Sequence, residues 1–107
     1  MPLQTTQPLC LPSLKILSDY WTLRILDALS VSSLRFCELQ RTLEGINTAT
    51  LTKRLKMMED DGLILRQQRS RAAVMYTLSG LGGRALPLLE AVNDFSAYAA
   101  QHTKPSK

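Results

Sequence analysis

Thr48, Ala49 and Thr50 open a helix-length segment that goes on to Thr52, Lys53, Arg54 and Lys56, with no acidic residue between Asn47 and Met58. These residue types in this order suit one kind of chemistry. Small side chains at the start of a helix let its backbone approach a groove floor, and threonine and alanine methyls can meet a thymine methyl. The cations that follow can reach phosphates or a guanine edge. Downstream, Arg66, Arg69, Arg71 and Arg84 lie between Gly62 and Leu89, again with no carboxylate. The acids collect elsewhere, in Glu59-Asp60-Asp61 and from Glu90 to Asp94. The net charge of +4 and pI near 9.4 therefore resolve into one basic face suited to a polyanion. Charge alone fits a solvated amphipathic surface equally well, so the elements that carry it must decide.

Other chemistries lack their residues. One histidine and two cysteines 27 positions apart do not supply a catalytic metal site or a disulfide framework. Gly80-Leu81-Gly82-Gly83 lacks the Lys-Ser/Thr that follows in a phosphate-binding loop, and reads as a strand-to-helix junction. His102, near the chain end, has no partner for chemistry. The expectation is a non-enzyme with no cofactor and no metal. No basic segment precedes the first apolar residues as in a secretory signal, and no apolar run is long enough to span a membrane. A cytoplasmic chain with reduced thiols is expected.

The 107 residues allow one domain with a modest core. Residues 1–11 read as an N-terminal arm, followed by a short helix from Pro12 to Leu17. Trp21 to Leu29 reads as a buried helix with Arg24 and Asp27 on its wet side, and Trp21 as core rather than a ligand platform. Residues 35–61 form a helix-turn-helix. Its first helix runs from Arg35 to Leu43 on a stripe of Phe36, Leu39 and Leu43, with Cys37 as a small apolar filler. Gly45 makes the turn, Asn47 caps the next helix, and Leu51, Leu55 and Met58 face inward. This places Ala49, Lys53 and Lys56 opposite the core, with Thr50 and Thr52 at the flanks. Residues 62–78 read as a hairpin of strands Leu63–Gln68 and Val74–Leu78, turning at Arg69–Ala72, with Val74, Tyr76 and Leu78 alternating to one face. Ser79 caps a last helix, residues 79–101, whose stripe Leu81, Ala85, Leu88, Val92, Phe95 and Ala99 faces the core and which Pro87 kinks or breaks. The fold class is mainly α with a small β-hairpin, a winged helix-turn-helix. In that arrangement the helix from Thr48 enters the major groove of double-stranded DNA and the hairpin is the wing. The predicted contacts are Arg35, Asn47, Thr48, Ala49, Thr50, Thr52, Lys53, Arg54, Lys56, Arg69 and Arg71.

The stretch from Gly45 to Ile64 resembles the recognition-helix segment of the HxlR family of bacterial winged-helix regulators. Trp21-Thr22-Leu23-Arg24-Ile25-Leu26, Arg35-Phe36-Cys37-Glu38-Leu39-Gln40-Arg41 and Tyr76-Thr77-Leu78-Ser79-Gly80-Leu81-Gly82 agree with it, as does Pro87. The resemblance runs from about Leu14 to Phe95. It implies a homodimeric repressor or activator whose N- and C-terminal helices form the dimer seam. Leu86, Leu89, Ala91 and Tyr98, with Leu14 and Leu17, are expected there, placing two recognition helices over a pseudo-palindromic operator. It also makes Cys10 a redox or electrophile-sensing candidate. The chain departs from the family in Ser18-Asp19-Tyr20, where relatives carry Gly-Gly-Lys, in a shorter wing, and in a Cys10 nearer to Trp21. An oxidant or a small-molecule ligand are the alternative effectors, and a winged-helix protein-protein adaptor the alternative function.

Overall fold

The structure, a computed structural model, describes residues 19–102. The expected helix from Pro12 to Leu17, Cys10, and the dimer contacts Leu14 and Leu17 lie outside them. The elements in order are α1 (Tyr20–Val31), α2 (Phe36–Thr42), α3 (Thr48–Asp60), β1 (Ile64–Ser70), β2 (Ala73–Leu78), α4 (Gly80–Gly83) and α5 (Leu86–His102).

Local chemistry accounts for most boundaries. The Asp19 side chain accepts from the Thr22 amide at 2.9 Å and caps α1. Arg35 is the N-cap of α2, and its amide donates to Glu38 Oε1 at 2.8 Å. Asn47 caps α3, accepting from the Thr50 amide at 2.7 Å. Gly45 and Gly62 take φ of +92° and +82°, a left-handed conformation that closes the turn into α3 and the exit from it. Between them Leu51, Leu55 and Met58 are buried, and with Ile25, Leu26, Leu29, Leu39 and Leu43 they make the centre of the core.

The two strands pair antiparallel from Ile64–Leu78 to Ser70–Ala73, so the turn narrows to Arg71–Ala72. The register slips between Gln68 and Ser70, which leaves Arg69 in a bulge. On its other edge β2 exchanges two hydrogen bonds with Leu34: Leu34 donates to the Tyr76 carbonyl at 3.0 Å, and Tyr76 donates back at 2.8 Å. Being bracketed on both sides, β2 is half-buried along its whole length, and the expected alternation of Val74, Tyr76 and Leu78 against their neighbours is absent.

The last helix departs most from expectation. It is two helices, not one over residues 79–101, because the chain turns at Arg84–Ala85 after the four residues of α4. Pro87 sits in the first turn of α5, where its missing N–H costs nothing. The break frees α5 to settle on a different face. Leu89 is buried and Leu86 packs against the core, whereas Leu81, Leu88, Val92 and Phe95 are exposed. Of the stripe expected inside, Ala85 does pack against the core and Ala99 is half-buried, but its four large members face out, and two of the residues expected at a dimer seam, Leu86 and Leu89, hold α5 to its own chain. Ala91 and Tyr98, the other two, are exposed. Cys37 is likewise exposed, not the apolar filler its helix suggested, since α2 buries only Leu39 within its span. Trp21 is half-buried against the core, as expected.

Candidate nucleic-acid interface

The outer surface of α3 carries Thr48, Ala49, Thr52, Lys53 and Lys56, all exposed, with Thr50 half-buried at the flank. Its opposite side is the buried stripe, so the helix is clamped on one face and open on the other. Gln40 of α2 donates to the Thr48 hydroxyl at 2.9 Å and ties the first residue of α3 across the turn. Asn47 spends its side-chain oxygen on the cap. Lys56 lies 3.2 Å from Asp60 one turn on; both side chains are well exposed, so the pair holds the ammonium only loosely.

Arg54 is different. Its Nε donates to Asp19 Oδ2 at 2.9 Å and its Nη2 to Oδ1 at 3.1 Å. Only 24% of its side chain and 31% of that of Asp19 remain accessible. Partial burial pushes the Asp19 carboxyl up, but bonds from Arg54 and from the amide and hydroxyl of Thr22 outweigh it, and its pKa falls below the usual 3.8. The position of Arg54 on the helix explains this, because it lies about 70° from the inward stripe and not opposite it. Sequence reasoning grouped it with Lys53 and Lys56 by charge; the wheel angle and the acid preceding Trp21 were the signals for its partner.

The wing presents Arg66, Arg69 and Arg71, all exposed. Arg69 donates to Gln67 Oε1 at 3.3 Å, and Arg71 lies at the tip. Arg35 and Arg71, with Arg41, line a cleft of about 440 Å³ between the start of α2 and the wing. Cys37 and Glu38 share that cleft. The structure thus brings Arg35 and Arg71 to one concavity, and leaves Arg54 out of the exposed basic set. Sequence reasoning missed Gln40, whose amide has no pattern to mark it, and Arg41.

Gly80-Leu81-Gly82-Gly83 forms α4, where a Cβ on Gly82 would collide with the Leu63 carbonyl oxygen. That glycine serves close packing of a junction. His102 stacks on Tyr98, ring centroids 4.0 Å apart. Among the described residues no helix is long and apolar enough to cross a membrane, and no cluster of His, Cys, Asp and Glu is arranged to hold a metal ion.

A helix-turn-helix regulator of Halalkalibacterium halodurans is 33% identical over 81 residues, covering 73% of this chain and 72% of its own. The structure of a MarR-family regulator from Porphyromonas gingivalis superposes with a TM-score of 0.78 at 27% identity, covering 91% of this chain and 97% of the other. The reduced form of the regulator YodB from Bacillus subtilis does so with 0.75 at 25% identity, covering 96% and 100%. The fold shared with them is the winged helix. The sequence profile of the HxlR-like helix-turn-helix proteins matches residues 16–104, and the chain belongs to that family.

Proposed function

We propose that the protein is a transcription regulator that binds a pseudo-palindromic stretch of double-stranded DNA as a homodimer. One observation carries this: a helix whose inner stripe is buried offers Thr48, Ala49, Lys53 and Lys56 on its free face, directly ahead of a wing bearing Arg66, Arg69 and Arg71. In this reading α3 lies in the major groove, Ala49 and the threonines meet base edges, and the lysines meet phosphates. Arg35 and the wing arginines reach the flanking backbone. The relatives' names as transcriptional regulators support it. Selection of duplexes from a random library, followed by footprinting upstream of the protein's own gene, tests it. A chain that enriches no sequence and binds DNA without preference would refute the reading.

Control by an oxidant is the effector reading that the comparisons favour, because the relative YodB has been solved in reduced and diamide-treated forms, and the family resemblance makes Cys10 its candidate thiol. The exposure of Cys37 means that both thiols need testing. Diamide should weaken or strengthen DNA binding by the wild type and by Cys37→Ser but not by Cys10→Ser. An identical response in all three removes Cys10 from the mechanism and favours a small ligand.

A further inference from the structure

The Asp19–Arg54 bridge joins the N-terminal end of α1 to the middle of the proposed recognition helix across 35 positions of sequence. We propose that Asp19 is a positioning residue for α3: it fixes the helix against α1 and withholds the Arg54 charge from DNA. The proposal rests on the DNA-binding reading above.

The carboxylate is built to hold. Oδ2 accepts from the Thr22 amide at 2.9 Å, the Thr22 hydroxyl at 3.0 Å and Arg54 Nε at 2.9 Å, and Oδ1 accepts from Arg54 Nη2 at 3.1 Å. Thr22 is 4% exposed, so its hydroxyl is anchored in turn by the packing of α1. Two parallel bonds from a planar fork fix orientation as well as distance, which a single lysine contact does not. The anion also sits at the N-terminus of a 12-residue helix, where the aligned peptide dipoles favour it. A phosphate that reached Arg54 would meet a guanidinium whose charge is already balanced and whose Nε and Nη2 are already committed to this partner. Lys53 and Lys56 face no such competitor, apart from the loose exposed contact with Asp60.

Two substitutions separate positioning from direct contact. Asp19→Asn removes the charge but keeps a side-chain oxygen that caps α1 as well as aspartate does. Arg54→Gln removes the guanidinium. Each is compared with wild type on the duplex that wild type selects from a random library and on a scrambled duplex of the same composition, across a range of salt. Asp19→Asn should bind the scrambled duplex several-fold more tightly, with a log–log salt slope steeper by about 0.9, because the freed Arg54 neutralises one more phosphate. Its preference for the selected duplex should fall. Arg54→Gln should keep the wild-type slope and lose preference. A slope flattened by about 0.9 in Arg54→Gln would make Arg54 a phosphate ligand and overturn the proposal. So would an unchanged slope and preference in Asp19→Asn. A merely stabilising pair would not steepen the slope, so that reading is distinguished too. Should Arg54→Gln not fold, Arg54→Lys, which keeps charge but not the fork, should lose preference; full retention overturns the idea. If wild type itself selects no duplex, the DNA reading fails and this falls with it. If wild type selects and the variants match it, only the positioning role is lost.

Discussion

Adjacent positions on α3 put the Lys53 ammonium in water and the Arg54 guanidinium on a carboxylate, and that contrast sets what each can do. A solvated cation loses little on meeting a phosphate and releases its counterion there. Lys53→Ala and Lys56→Ala should therefore each flatten the salt dependence of binding, by about 0.9 in slope, on selected and scrambled DNA alike. Fluorescence anisotropy at several salt concentrations measures this; an unaltered slope in the double variant would remove α3 from the phosphate contacts. Ala49 works by size instead, and Ala49→Leu should change the selected sequence while leaving that slope intact. Asp19 yields a prediction about stability. Its carboxyl titrates lower in the folded chain than in the unfolded one, so its contribution is full above the unfolded value and is lost as pH falls through the folded one. Asp19→Asn should be less stable than wild type near neutrality, by about 1 kcal/mol for a partly exposed charged bond. The gap should close in acid, below the ordinary aspartate range. Urea unfolding at neutral and acid pH checks both; a constant gap would mean that lost packing, not charge, is responsible.

At the scale of the element, the helix-turn-helix was legible because its determinants are local. Asn47 three residues before the amide it caps, glycine at two left-handed positions, and an apolar stripe at spacings of three and four each act within one or two turns. What escaped depends on partners distant in sequence. The wheel angle of Arg54 hints at a partner but nothing near it says that the partner is Asp19, and nothing near Cys37 says that α2 is short enough to bury only Leu39 within its span. The rotation of α5 escaped for a related reason. A periodic helix fits its core by any sufficiently apolar face, and the break at Arg84–Ala85 decides which one is used. The junction just ahead of that break is closely packed, which gives a test. Gly82 passes so close to the Leu63 backbone that Gly82→Ala must shift the junction of wing and α4, since a carbonyl cannot rotate away as a side chain can. A loss of about 1–3 kcal/mol is expected, the range of an overpacked core. Gly83, with open space where its Cβ would be, should accept alanine at little cost, and equal effects at both would refute the packing account. In the wing, Arg69→Ala with Arg71→Ala should leave the fold intact, because both are exposed. Affinity should drop for selected and scrambled DNA together. A drop confined to the selected duplex would show that an arginine reads groove width.

For the whole molecule, the face of α5 left uncovered among the described residues bears on assembly. This helix of 17 residues buries only Leu89, while Leu88, Val92, Phe95 and Tyr98 stand on its outer side, the last two 71% and 62% exposed. Packed against the same stripe of a second copy about a two-fold axis, eight such side chains would be covered. At about 1.5–3 kcal/mol for each fully buried apolar side chain, the gross gain is about 12–24 kcal/mol, reduced because several are already half-covered. Association itself costs about 4–15 kcal/mol. The balance corresponds to a dimer that this stripe sustains only in part, so that Tyr20 and Val31, also exposed, or the residues before Asp19 would have to add to it. Phe95 is the most exposed of the four and makes no contribution to its own core, so Phe95→Lys should fold with unchanged helix content and shift the sedimentation coefficient toward monomer at micromolar concentration. DNA binding should weaken with it, and far more on the selected duplex than on scrambled DNA, since only the former offers two half-sites one helical turn apart to a linked pair of α3 helices. A Phe95→Lys protein that remains dimeric would place the seam elsewhere. A wild type that sediments as a monomer at that concentration would deny the pairing of half-sites altogether.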